Sequence, residues 1–357
     1  MSNTSKVAHL SHLDFLRVLC VLTVVANHCL SFLMHDHFPA MKATYLQFDE
    51  FNMCGPIVVA MPLFTFISGY LYAYLKDVGK YAKDFSFLKN KSKRLLLPYV
   101  FFVVLFCITT QFQHTDFVAM MKQTGHHIFY GGYNHLWYLP VLFWCFVVVR
   151  LFEKISPNTK LALILFLIIA FILGSTIPES PSFLNFMKVV PWLYWFLLGY
   201  AFFKFKNNFM PLIANTSHRV LVLALTCVFC LEIGLILFFG IPKYKAQFTV
   251  AEFVIITVFI IALFIIFEDL ARRESVNKIF TSKVVKSVSK YSFGIYIFHY
   301  WLAPIIISST AKRIFHLEAF AEHYYIFPIV FSIVTFVASY VVTYLFQKTK
   351  LGKYLLG

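Results

Sequence analysis

The sequence predicts an all-α integral membrane protein, a bundle of about ten transmembrane helices with both termini in the cytoplasm. Three observations predict it. Of the 357 residues, 60% are hydrophobic and 13% charged, with a mean hydropathy of +0.75, whereas soluble domains carry about a quarter charged residues. Apolar runs near the roughly 20 residues that a bilayer requires recur at 13–33, 54–75, 95–113, 136–152, 161–178, 188–204, 219–240, 250–268, 291–310 and 325–346. The basic residues are also unevenly shared. With the N-terminus inside, the outer loops hold Lys42, Lys122, Lys188, Lys243, Lys245, Lys312 and Arg313, and Arg17 lies within a span. Every other Lys and Arg falls on the inner side, with Lys76, Lys80, Lys83, Lys89, Lys91, Lys93 and Arg94 together after the second span. Basic residues accumulate on the cytoplasmic side of short loops, so this distribution orients the chain.

The formal charge of +15 is therefore a topology signal and an attraction to anionic membrane lipid, and nucleic acid is excluded as a partner. Forty-four Phe and twenty Tyr fit a lipid-facing surface with aromatic belts better than a soluble core. Cys20, Cys107, Cys145, Cys227 and Cys230 fall within apolar spans, where a thiol acts as a small hydrophobe. Cys227 and Cys230 have a CxxC spacing but no second pair, so no metal site is expected. The first span is read as retained, because it is longer than a signal-peptide core, is interrupted by Arg17 and lacks a small-x-small cleavage site. A single domain over 1–357 is expected, with no appended soluble domain.

The first span, LDFLRVLCVLTVVANHCLSFL, carries Arg17 and His28. A charged residue within a bilayer helix costs at least about 2.5–3.5 kcal/mol, which makes it a functional-site hypothesis. Eleven residues make about three turns and about 16 Å of rise, so the two side chains lie nearly on one face at different depths. Arg17 either snorkels to the interface and pairs with Asp14, or faces the interior and grips a phosphate- or thioester-bearing donor. His28 either bonds to a neighbouring helix or serves as a general base poised near neutral pH. Asn27 and Cys29 flank it; Cys29 as an acylated nucleophile is chemically open, although a thiol in apolar surroundings is usually inert.

Along the rest of the chain, Ser68 and Gly69 in PLFTFISGYLYA (62–73) predict a close helix–helix crossing. In KNKSKRLLLPY, Lys91 and Arg94 stand three apart at the membrane boundary, suited to a phosphorylated cytoplasmic ligand or to plain anchoring. His135 and Trp137 enter the fourth span from outside, as interface belt or as lining of an acceptor cleft. Glu232 is the carboxylate deepest in a predicted span and has no assignable partner. His299, roughly 12 Å into the ninth span, either faces a donor channel or packs. On composition alone a polysaccharide exporter, flippase or other multi-helix transporter suits ten such helices equally well, although no internal repeat is visible.

In order, R-x10-H in the first span, PLFTFISGY, a basic pair before RLLLP, HLWYL at 135–139 and YSFGIYIFH at 291–299 resemble the membrane acyltransferase-3 family along essentially the whole chain. The resemblance implies an O-acyltransferase of the bacterial cytoplasmic membrane. Its donor is acetyl-CoA, a co-substrate rather than a bound cofactor. Its acceptor is a hydroxyl on a cell-surface glycan or a lipid-linked glycan precursor. The family's arginine and histidine fall on Arg17 and His28. Its R-x-x-R element falls on Lys91 and Arg94, with lysine replacing the first arginine, which keeps the charge but loses bidentate phosphate binding. Asp14, Asn27, Ser68, His135, Trp137, Glu232 and His299 are expected to line the site. Some members carry a fused esterase-like domain for which 357 residues leave no room, making peptidoglycan the less favoured acceptor.

Overall fold

Backbone N–H and C=O groups find no water in hydrocarbon, so an apolar run that spans it must satisfy them within a helix or a closed barrel. The chain takes the first course. A computed structural model describes residues 9–33, 56–81, 84–111, 116–156, 160–177, 182–214, 220, 224, 250–314 and 326–357, and among these no strand occurs. The helices are α1 (Ser11–Phe32), α2 (Pro56–Asp77), α3 (Asp84–Gln111), α4 (Phe117–His126), α5 (Tyr138–Ile155), α6 (Lys160–Thr176), α7 (Val189–Ala214), α8 (Val250–Leu270), α9 (Glu274–Phe280), α10 (Lys283–Ile314), α11 (Ile326–Phe346) and α12 (Lys350–Leu356). Nine of the ten expected spans coincide with helices among the described residues; the span at 219–240 is described at 220 and 224 alone, and Glu232 lies outside the described residues. Among the described residues seven helices, counted with their flanking turns, are long and apolar enough to cross a membrane, and α6 is a shorter apolar one.

Two helices begin earlier than their apolar runs. α3 starts at Asp84 rather than 95, so the basic stretch KNKSKR is helix and not loop. α10 starts at Lys283 rather than 291, where the Ser282 hydroxyl accepts the Val285 N–H at 3.3 Å and so caps an otherwise unpaired helix donor. Lys and Arg are good helix formers, so a helix continues past the membrane boundary until a cap stops it.

The helices gather into two compact units. In one, α1, α10 and α11 pack on one another. α11 inverts the pattern of a soluble helix. Ile326, Ile329, Val330, Ile333, Val334, Val337, Val341 and Leu345 are exposed along one stripe, while Thr335, Ser339 and Thr343 are fully buried. Between helices in lipid the gain comes from close packing of small residues rather than from apolar burial, so the large apolar side chains turn outward. Two of these hydroxyls return to their own helix: Ser339 donates to the Thr335 carbonyl and Thr343 to the Ser339 carbonyl, both at 2.7 Å. Gly294 of α10 lies against the Thr343 side chain, where a Cβ would collide.

The other unit holds α2 from Pro62, α3 to α7 and the first turns of α8. α6 shows the same outward stripe, with Leu161, Ile164, Leu165, Ile168, Ile169, Ile172 and Leu173 exposed. The expected crossing at Ser68–Gly69 is present. A Cβ on Gly69 would fall on the Phe196 carbonyl, and one on Gly199 of α7 would fall on the Phe66 carbonyl, so α2 and α7 touch backbone to backbone. Gly69→Ala is expected to lower stability by about 1–3 kcal/mol, because the obstacle is backbone and overpacking there has no flexible side chain to displace. Thermal unfolding of the detergent-solubilised protein measures this, and an unchanged midpoint would contradict the crossing.

Candidate active site

In the unit built on α1, α10 and α11, the first turn of α1 is tied down before its functional residues appear. Ser11 donates to the Asn277 side chain at 2.8 Å, and Phe15 stacks on Phe280 with ring centroids 4.5 Å apart. The Asp14 carboxylate then accepts from the Ser289 hydroxyl at 2.7 Å and from the Arg17 guanidinium at 3.4 Å. Arg17 thus pairs with Asp14 one turn away, as one of its two expected roles required. Its side chain is still 31% exposed. Among the described residues this one long contact is the polar contact seen for the guanidinium, which has five N–H donors to offer an anion.

α1 continues unbroken from Ser11 to Phe32, so Arg17 and His28 do stand on one helix, separated by about 16 Å of rise. His28 is half-buried. Its ring lies between two consecutive residues of α10: 5.2 Å from the His299 ring with a tilt of 35°, and 4.9 Å from the Tyr300 ring, edge to face at 75°. His299 is fully buried, and its Nδ1 lies 3.2 Å from the Ile295 carbonyl. Because α10 begins at Lys283, His299 lies about 24 Å along its helix and about 12 Å past the start of its apolar run. Spacing alone could not have paired it with a residue 271 positions earlier. Asn27 is half-buried beside His28. Cys29 is buried, with Sγ 3.8 Å from the Phe331 carbonyl, the surroundings of an inert thiol rather than a nucleophile.

The remaining expected residues lie in the second unit. Ser68 returns its hydroxyl to the Phe64 carbonyl at 2.9 Å. Lys91 and Arg94 share α3 but not an environment. The Lys91 ammonium lies 3.9 Å above the Phe146 ring and 5.6 Å from the rings of Phe87 and Tyr81, a cation–π setting, whereas Arg94 is exposed. Burial pushes the Tyr81 hydroxyl pKa up and the Arg94 charge pulls it back. His135 is buried in the turn Asn134–Trp137. The Trp137 ring meets Trp192 at 5.2 Å, and Lys188 stands 4.9 Å over it.

A polar cluster absent from the sequence-based expectations also lies here. Arg150, counted among the loop anchors, is buried within α5. It donates to Asp84, to the Tyr81 carbonyl at 2.9 Å, and to Tyr72 and Glu153 at 3.3 Å. Glu153 accepts in turn from Tyr72 at 2.7 Å, Tyr200 at 2.8 Å and Lys76 at 2.8 Å. The cluster therefore joins α2, α3, α5 and α7. Arg17 is thus not the one basic residue inside a span, and Glu153 is a buried carboxylate near the end of α5. The available signal was R-x-x-E at 150–153, three apart on one helix face, with tyrosines in FISGYLYAY.

The acyltransferase-3 family model, described as an acyltransferase domain, matches residues 10–348. No curated protein and no solved structure matches the chain. A match that runs from the residue before α1 through the end of α11 takes in both units and every residue weighed above, and it places the chain in the membrane acyltransferase-3 family.

Proposed function

We propose that this acyltransferase moves an acetyl group from cytoplasmic acetyl-CoA to a hydroxyl of a cell-surface glycan or its lipid-linked precursor, within the cytoplasmic membrane of a bacterium. The observation that carries the reading is the unbroken α1. It sets Arg17, the half-exposed cation, three turns from His28, the half-buried base. The distribution of basic loops supports both termini inside, with Arg17 near the cytoplasm and His28 nearer the outer face. On that orientation Arg17 meets the phosphates of the donor. On α3, the exposed Arg94 is the better phosphate ligand and Lys91, held against Phe146, the weaker one.

The pantetheine arm carries the thioester toward His28. The neutral imidazole takes the proton of the acceptor hydroxyl as its oxygen bonds to the acyl carbon; the C–S bond breaks, and the departing CoA thiolate takes that proton to leave as the thiol. Holding both reactants on one helix replaces a bimolecular encounter with an oriented one. The burial of Cys29 favours direct transfer over an acyl-enzyme through that thiol.

Mass spectrometry of surface glycans from a deletion strain tests the assignment. Loss of acetyl groups from one glycan is expected, and an unaltered glycan profile would contradict it. Arg17→Ala is expected to raise the donor KM roughly 10–100-fold, because hydrogen bonds to charged groups contribute about 1.5–3 kcal/mol. An unchanged donor KM would assign Arg17 to its pair with Asp14 alone.

A further inference from the structure

His28 and His299 come from helices at opposite ends of the sequence, yet their rings meet inside one unit, 5.2 Å apart. An imidazole nitrogen lies roughly 1.1 Å from its ring centre, so two imidazoles joined by an N–H···N bond of about 2.9 Å hold their centres roughly 5.1 Å apart. The observed centre spacing is close to that of such a pair, although the two rings are not hydrogen-bonded to each other in this structure. The chemistry of His299 also has a direction. Its Nδ1 faces the Ile295 carbonyl at 3.2 Å, and a carbonyl only accepts. The neutral ring therefore carries its proton on Nδ1 and presents Nε2 as an acceptor.

We propose that His299 is the positioning residue of the reaction: it accepts the second N–H of His28 and so fixes which nitrogen of His28 faces the acceptor hydroxyl. The inference rests on His28 being the general base. With one His28 nitrogen committed as a donor to His299, the other must hold the lone pair that takes the hydroxyl proton. Once that proton arrives, the N–H toward His299 becomes charge-assisted and steadies the imidazolium. The proton then leaves on the CoA thiolate, so His299 neither gains nor loses one over the cycle. Tyr300, edge-on to the His28 ring at 4.9 Å, limits rotation of the same ring. Such an alignment tightens in the complex with substrate, as hydrogen bonds in active sites do.

Two variants of similar bulk separate positioning from packing. His299→Gln keeps an acceptor in its side-chain carbonyl, and His299→Met fills the space without one. The expected result with purified protein and acetyl-CoA is a kcat lowered about 10–100-fold by His299→Met, most of it recovered in His299→Gln, with the donor KM unchanged in both. In the background of His28→Ala, His299→Met is expected to add no further loss, since the two side chains act as one unit. Equal activity of the two variants, a loss that multiplies onto His28→Ala, or a raised donor KM with kcat kept would each overturn the inference. The two ideas fail separately. An active His28→Ala protein removes the base itself, whereas an inactive His28→Ala beside indistinguishable Gln and Met variants removes the role of His299 alone.

Discussion

His28→Ala is expected to lower acyl transfer by about 10²–10⁴-fold, the range that a general base contributes, while the protein inserts and accumulates normally. The half-buried ring lies between His299 and Tyr300, so its loss leaves a small void between α1 and α10. A void of that kind beside the apolar cluster of Leu33 and Ile307 is tolerable for folding and does nothing to replace a proton acceptor. Initial rates with saturating donor, beside a thermal unfolding midpoint, separate the two effects. A variant that retains a tenth or more of the wild-type rate would show that another group takes the hydroxyl proton.

The second large effect is on stability. Arg150→Met is expected to destabilise the protein by about 1.5–3 kcal/mol, because Glu153 and Asp84 lose a charge-assisted hydrogen-bond donor while each keeps a lysine. Glu153, 9% exposed, would keep Lys76 and two tyrosines but lose its partner on the same helix. The double variant Arg150→Met/Glu153→Gln is expected to recover part of the loss, since a neutral amide is cheaper to bury than a carboxylate. Thermal unfolding in detergent reports both. Unfolding of Arg150→Met at the wild-type temperature would reduce the cluster to a set of contacts with no net contribution.

What could be read in advance divides along a physical line. Hydropathy located α1, α2, α5, α6 and α11 to within a few residues, because a bilayer demands apolar side chains over a set length. It missed the starts of α3 and α10 for the same reason. Their first turns carry Asp84 to Arg94 and Lys283 to Lys290, which lie beyond the apolar stretch although the backbone is already helical. Arg17 and His28 stood out because charge and imidazole are costly in such a run. The neighbour of His299 could not follow from any spacing, since α1 and α10 are far apart in sequence and meet only in the folded chain. Arg150 illustrates a different limit. A basic residue at the end of an apolar run anchors at the interface or turns inward to a carboxylate, and only the position of Tyr72 and Glu153 on α2 and α5 decides between them.

The central claim, that the protein transfers an acyl group instead of moving a glycan across the membrane, is met most directly in proteoliposomes. Purified protein is supplied with acetyl-CoA labelled in the acetyl group and with the glycan fraction of its own membrane, and the label is followed by mass spectrometry. Labelled ester on the glycan is expected in the wild type and none with His28→Ala. Transport of unlabelled glycan across the vesicle, with the acetyl group still on CoA, would contradict it.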